Sequence, residues 1–239
     1  MKRVLFVSMI GEPGRYDPAI YADIPGGDDE VHWVLLQLRE LGLADRVDYR
    51  GVRICRGEAL PAPGEADAVI LGGSYHSVHD DLDWQRRTRD WLERYRGVGG
   101  PLLGICGGHQ MVCEIDGATV EPLASGVMAG TMPVTLTDAG RAHFLFSGCR
   151  EEPVFHWANE ERVARPPDGA LVLATRPEIP CAALDHGGGW YSVQFHPEAT
   201  HRSMAVSWRP QHPEYAENYR PAPQGGRLME NFLKGTGIV

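Results

Sequence analysis

Lysine is almost missing from this chain: among 239 residues only Lys2 and Lys234 carry it. Acidic residues outnumber basic ones and the formal net charge is −9. That balance excludes the basic surface a nucleic-acid partner would require. The five cysteines, Cys55, Cys106, Cys113, Cys149 and Cys181, contain no C-x-x-C pair, and their odd number does not describe a disulfide scaffold. A reducing, cytoplasmic compartment is expected. No H-E-x-x-H helix is written in the sequence and no phosphate-cradling P-loop, so neither a metal nor ATP is expected to be held, and no cofactor is required. No apolar run is long enough to cross a membrane. The start, Met1-Lys2-Arg3 followed by Val4-Leu5-Phe6-Val7, has the outline of a signal peptide. It lacks a small-residue cleavage pattern and reads better as a first buried strand.

What is present alternates between strand and helix. Arg3–Ser8 reads as a strand and residues 11–27 as a long loop rich in Gly, Pro, Asp and Tyr. Asp28-Asp29-Glu30 makes an acidic, capped helix start, and Val31, Val34, Leu35, Leu38 and Leu41 recur at helical spacing up to Gly42. Residues 47–54 and 67–71 read as strands. A helix over 83–95 places Trp84, Thr88, Trp91 and Tyr95 on one face, a stripe suited to core packing. This pattern predicts an α/β fold, a mostly parallel open sheet with helices on both faces. Beyond residue 118 the texture changes to short strands separated by turns, which predicts a small antiparallel portion. One domain over 1–239 is expected, with an irregular excursion at about 199–226 and a last short helix over 227–233.

Chemistry concentrates in three segments. Residues 101–105 are apolar and run into Cys106-Gly107-Gly108-His109-Gln110, which reads as strand, sharp turn and helix with the cysteine at the apex. Such an elbow lifts a nucleophile above a sheet, and the helix N-terminus behind it favours a thiolate and then an oxyanion. A cysteine nucleophile needs a base. Far downstream Trp190-Tyr191-Ser192-Val193-Gln194-Phe195 alternates as a strand and ends in His196-Pro197-Glu198. Proline stops the strand, and a carboxylate two residues past an imidazole can hold its tautomer. The third segment, Ile70-Leu71-Gly72-Gly73-Ser74, is an apolar strand ending in a glycine turn.

Together these segments resemble class I glutamine amidotransferases, whose elbow usually reads G-I-C-x-G-H-Q and whose histidine segment reads Q-F-H-P-E. Gly104–Gln110 and Gln194–Glu198 match them, and the resemblance spans roughly Arg3 to Glu198. It implies a flavodoxin-like fold. It also implies a thioester on Cys106, with His196 as base and then acid, and Glu198 orienting His196. The N–H groups of Gly73 and Gly107 would form the oxyanion hole, and Gln110 would contact the substrate, with helix packing as its alternative. His109 reads as structural. Ser74, Tyr75 and His76 either line the pocket or lie exposed. The segment Phe155-His156-Trp157-Ala158-Asn159 departs from the W-H-G-D or H-x-D pattern common in relatives, so the residues that recognise the substrate stay open.

The first expectation is hydrolysis of glutamine to glutamate and ammonia, with the ammonia passed to a separate synthetase partner. The alternative is a γ-glutamyl peptidase or hydrolase acting on a small γ-glutamyl conjugate, for which the long loops at 11–27 and 199–226 could shape a wider pocket. A non-enzymatic binding module is the third reading, and the complete Cys-His-Glu set argues against it.

Overall fold

Val4-Leu5-Phe6-Val7 is buried on both faces, the condition of a central parallel strand. In the computed structural model, which describes residues 1–239, this run lies within β1 (Lys2–Met9). Val4 and Phe6 enter one core cluster while Leu5 and Val7 enter another, because successive side chains of a strand point to opposite faces. The first cluster also takes Val34 and Leu38 of α1 (Glu30–Glu40). The second takes Trp91 and Tyr95 of α2 (Asp83–Val98), and Met111 and Val112 of α3 (Gly107–Ile115). The sheet therefore carries helices on both faces, as the alternation of patterns predicts.

Beside β1 lie β2 (Val47–Arg53) and β3 (Ala68–Ser74), followed by β4 (Leu102–Ile105). Short strands come next: β5 (Val120–Pro122), β6 (Met128–Pro133) and β7 (Thr135–Leu136). After the short helix α4 (Asp138–Ala142) come β8 (Val154–Asn159) and β9 (Glu161–Val163). The last strands are β10 (Leu171–Arg176), β11 (Ile179–Gly187) and β12 (Trp190–Val193). The main sheet runs β2-β1-β3-β4-β12-β11-β10-β7. Pairing is parallel from β2 through to β12 and antiparallel beyond it. Two small antiparallel pairs, β5 with β9 and β6 with β8, complete the strands. The sequence pattern missed β9 and α4, which are three and five residues long and too short to show a period.

The stretch read as irregular at 199–226 is instead largely helical, a correction with a local cause. Thr200 accepts from Ser203 N at 3.1 Å and its own N–H donates to Ser203 Oγ at 3.0 Å, a capping box that starts α5 (His201–Trp208). A single turn, α6 (Pro213–Ala216), follows. Tyr219 then ties the segment down, accepting from Trp208 Nε1 at 2.9 Å and donating to the Trp157 carbonyl at 2.6 Å. The last helix, α7 (Gln224–Gly235), starts earlier than the pattern predicts and packs Leu228 and Phe232 into the first core cluster. No helix is long and apolar enough to cross a membrane.

Candidate active site

Register brings the three marked segments together. Leu71 of β3 pairs with Gly104 of β4, and Ile105 of β4 pairs with Val193 of β12. All three strands are parallel, so their carboxyl ends finish side by side. Gly73, Cys106 and His196 lie one to three residues past those pairs. Open α/β sheets bind ligands at this edge.

Cys106 stands in the turn between β4 and α3 with φ 50° and ψ −106°. Only one other non-glycine residue, Asp81, has a positive φ. A cysteine in that region stores backbone strain of about 1–3 kcal/mol, which the surrounding packing must hold. Its N–H is fixed to the Val193 carbonyl at 2.8 Å. The helix behind it sits tight against β3: a Cβ on Gly108 would come within 2.4 Å of the Leu71 carbonyl. Glycine is therefore required where the elbow helix crosses the strand.

His196 Nδ1 lies 2.7 Å from Glu198 Oε1, and Glu198 is 2 % exposed. The imidazole is further oriented by its backbone, whose N–H donates to the His156 carbonyl at 2.9 Å. Burial on its own would lower the pKa of His196. The Cys106 sulfur and the Glu198 carboxylate outweigh it, holding the imidazolium well above its ordinary value. His196 Nε2 is buried without a hydrogen-bond partner, and His196 lines the same cavity as Cys106. The structure thus joins Cys106, His196 and Glu198 in one cluster.

The glycine turn is placed as expected but not oriented as expected. A Cβ on Gly73 would come 3.0 Å from His196 Cε1, so the residue abuts the cluster. Its N–H, however, is directed to Glu30 Oε1 at 3.4 Å rather than toward the sulfur. The backbone of the next residue runs beside the start of α3: a Cβ built on Gly107 would lie 2.9 Å from Ser74 N. Gly107 is the first residue of α3, and its N–H has no intrahelical acceptor.

Two polar residues at the site were not legible as such. Asn159, at the end of β8, donates to Cys106 Sγ at 3.5 Å and to the Gln194 carbonyl at 3.2 Å. It sits in the segment whose motif departs from the common pattern. Glu30 looks in the sequence like an exposed acid complementing a helix dipole, yet it is 2 % exposed. It accepts from Ser8 Oγ at 2.8 Å, and its carboxyl fills the space that a Cβ on Gly72 would take. Burial first, and then the nearby Glu198 charge, push its pKa up to about 8. The available signal was spacing, since Glu30, Val34 and Leu38 share one buried stripe of α1.

Gln110 lines the cavity while its Nε2 donates to the Glu161 carbonyl at 3.2 Å and to Gln194 Oε1 at 3.3 Å. Ser74, Tyr75 and His76 also line it. His109 turns away and is buried against Ser192, with Nδ1 2.7 Å from Ser192 Oγ. The cavity measures about 930 Å³, large for a single amino acid, since pockets of roughly 300–1,000 Å³ hold drug-sized ligands.

The family model for glutamine amidotransferase class-I matches residues 31–209. A glutamine-hydrolyzing GMP synthase of Aeropyrum pernix is 30% identical over 217 residues, covering 88% of this chain and 40% of that protein. A glutamine-hydrolyzing GMP synthase subunit of Sulfolobus acidocaldarius is 27% identical over 181 residues, covering 75% of this chain and 89% of that protein. The chain thus spans less than half of the first relative and most of the second. In three dimensions, a glutamine amidotransferase of Thermotoga maritima has the same fold, with a TM-score of 0.74 at 20% identity over 98% of this chain and 97% of that one.

Proposed function

Since the chain belongs to the class-I glutamine amidotransferase family, we propose that it hydrolyses γ-glutamyl amides, glutamine among them, through a thioester on Cys106. The observation that carries this reading is the meeting, at one sheet edge, of a strained Cys106 with a His196–Glu198 pair 2.7 Å apart. Cys106 Sγ attacks the side-chain carbonyl carbon while His196 holds the thiol proton. The carbonyl oxygen becomes an oxyanion against the amides of Gly107 and Ser74, each such donor being worth roughly 3 kcal/mol in the transition state. The C–N bond breaks as His196 gives the proton to the departing nitrogen. Water, deprotonated by His196, then cleaves the thioester and releases glutamate. Glu198 keeps the imidazole in one tautomer throughout. Asn159 steadies the sulfur from the other side.

Ammonia from glutamine is useful only where something consumes it. The relative in Sulfolobus acidocaldarius is named as one subunit of its enzyme, which supports a separate synthetase partner for this chain. The whole of 1–239 acts as a single unit in this reading, in a reducing cytoplasm that suits a free nucleophilic thiol. The test is glutamate release from glutamine by the purified protein, with C106A as the blank. Turnover by the wild type alone supports the reading, and equal rates from both proteins overturn it.

A further inference from the structure

The cavity over Cys106 has two arms of different chemistry. The first is polar and is built by Gln110, Asn159, Glu160 and Glu161 from α3 and the β8–β9 turn. The second is aromatic and comes from the 11–27 loop, the residue after β3 and α5. Tyr16, Ile20, Tyr21, Tyr75, Met204 and Trp208 line it. Tyr21, Ile24, Trp33 and Val206 form a small core of their own beneath this arm, with Tyr16 and Ile20 packed on it, so its walls are supported from behind.

The tyrosine hydroxyls in this arm are already satisfied. Tyr21 and Tyr75 pair oxygen to oxygen at 3.0 Å, and Tyr16 donates to Asp28 Oδ2 at 3.2 Å. The Tyr16 ring packs edge-to-face on Tyr21 at 5.7 Å and tilted on Tyr75 at 5.6 Å. With the hydroxyls engaged, what remains for a ligand is ring carbon. Tyr16, Ile20 and Trp208 are only half-buried, which leaves apolar surface facing the cavity.

The chain ties this arm to the elements around His196. His196, which must protonate the leaving nitrogen, is flanked by Glu198 and by Glu30, the first residue of α1. Trp33 belongs to the same helix turn as Glu30, and Ser203 and Met204 follow Glu198 within the next six residues. A γ-glutamyl group, polar at its far end, matches the arm of Gln110 and Asn159. The nitrogen substituent then enters the aromatic arm. Charge narrows its nature further. Arg15 is the only arginine or lysine lining the cavity, and it is exposed and engaged with the Tyr75 carbonyl at 3.2 Å. A carboxylate on the leaving group would find no buried arginine or lysine to pair with.

Resting on the γ-glutamyl hydrolysis reading, we infer that the aromatic arm is a leaving-group site, and that the chain cleaves γ-glutamyl amides of carboxylate-free arylalkyl amines better than glutamine. The bond changes are those of the thioester mechanism. Sγ–C forms, C–N breaks, the proton held by His196 goes to the amine, and water releases glutamate. No further reactant enters.

The experiment compares kcat/KM for glutamine, γ-glutamylethylamide, γ-glutamylphenethylamide and γ-glutamylphenylalanine, with C106A as the blank. The phenethylamide is expected to exceed glutamine by at least ~10-fold, as one well-buried apolar group allows. It is also expected to exceed γ-glutamylphenylalanine, which differs from it by one carboxylate. I20W, which fills the arm, lowers the phenethylamide-to-glutamine ratio about tenfold. Y16A, on the more open side, lowers it too and serves if I20W does not fold. Glutamine turned over as well as the phenethylamide, or better, overturns the inference and leaves the hydrolase reading standing. A preference for γ-glutamylphenylalanine overturns the carboxylate-free class. Cys106-dependent release from none of the four overturns both.

Discussion

Two buried histidines flank the same elbow, and their surroundings drive them to opposite charge states. His109 is on α3, three residues past Cys106, and its Nδ1 lies 2.7 Å from Ser192 Oγ and 3.8 Å from the Cys113 sulfur, while the Ser192 hydroxyl also lies 2.7 Å from His186 Nε2. The chain continues from His186 Nδ1 to Asp116 at 2.8 Å and ends on Arg96. The nearest charge His109 can feel is thus another histidine. Burial and that like charge depress its pKa to about 3, so it stays neutral. His196 is only slightly more exposed, yet a sulfur and a carboxylate face it and hold it charged. Burial alone makes a histidine structural. Burial with a thiol and an acid in reach makes it a proton carrier.

The comparison can be broken most forcefully at the sulfur. Cys106→Ala should reduce glutamate release by at least ~10³-fold, because residues that act as one unit fail together. Refolded C106A keeping its melting temperature would show the loss to be chemical. Next, His196→Ala should cost roughly 10²–10⁴-fold in kcat. Glu198→Gln should cost less, since the orienting acid counts for less than the base in such a unit. A His109→Gln variant separates the two environments: it should lower stability by about 1–3 kcal/mol through a lost buried hydrogen bond, with kcat per folded molecule little changed. Thermal melting and single-turnover rates measured on the same sample decide this.

The acid limb sharpens the contrast. Neutral buried His109 binds no proton between its ordinary value near 6.5 and about 3, whereas the unfolded chain does. Wild-type stability should therefore fall as pH drops through that window, and H109Q should flatten the fall. His196, held above its ordinary value, has the opposite sign. Its contribution is complete below about 6.5 and is lost as pH rises through the raised folded value. The smallest effect expected is at Glu30. Its carboxyl is neutral in the fold up to about 8, so wild-type stability should decline as pH rises from about 4.5 to 8. E30Q should decline less over that range, read as melting temperature against pH.

Much of this was legible residue by residue. The apolar run of β1, the spacing of α1 and the aromatic stripe of α2 are local patterns, and the structure reproduces them. The Cys106 elbow and the His196-Pro197-Glu198 strand end were readable because glycine and proline mark backbone geometry directly. Other features escaped because nothing local encodes them. Glu30 carries the chemistry of a surface acid and is buried only because Gly72, on another strand, leaves room for its carboxyl. Asn159 belongs to an ordinary strand end until the fold brings its Nδ2 to 3.5 Å from Cys106 Sγ. The aromatic arm joins residues nearly two hundred positions apart.

The sequence by itself determined the strand–helix alternation, the sharp turn that carries Cys106 and the proline-terminated strand end that carries His196, since these follow from periodicity and from the backbone limits of single residues. Only the tertiary structure decided which way the Gly73 amide points, which acids are buried beside His196, and how much room lies beyond it. Those depend on contacts between segments far apart in the chain, and the energy of a charge or an amide is set by what packing brings near it.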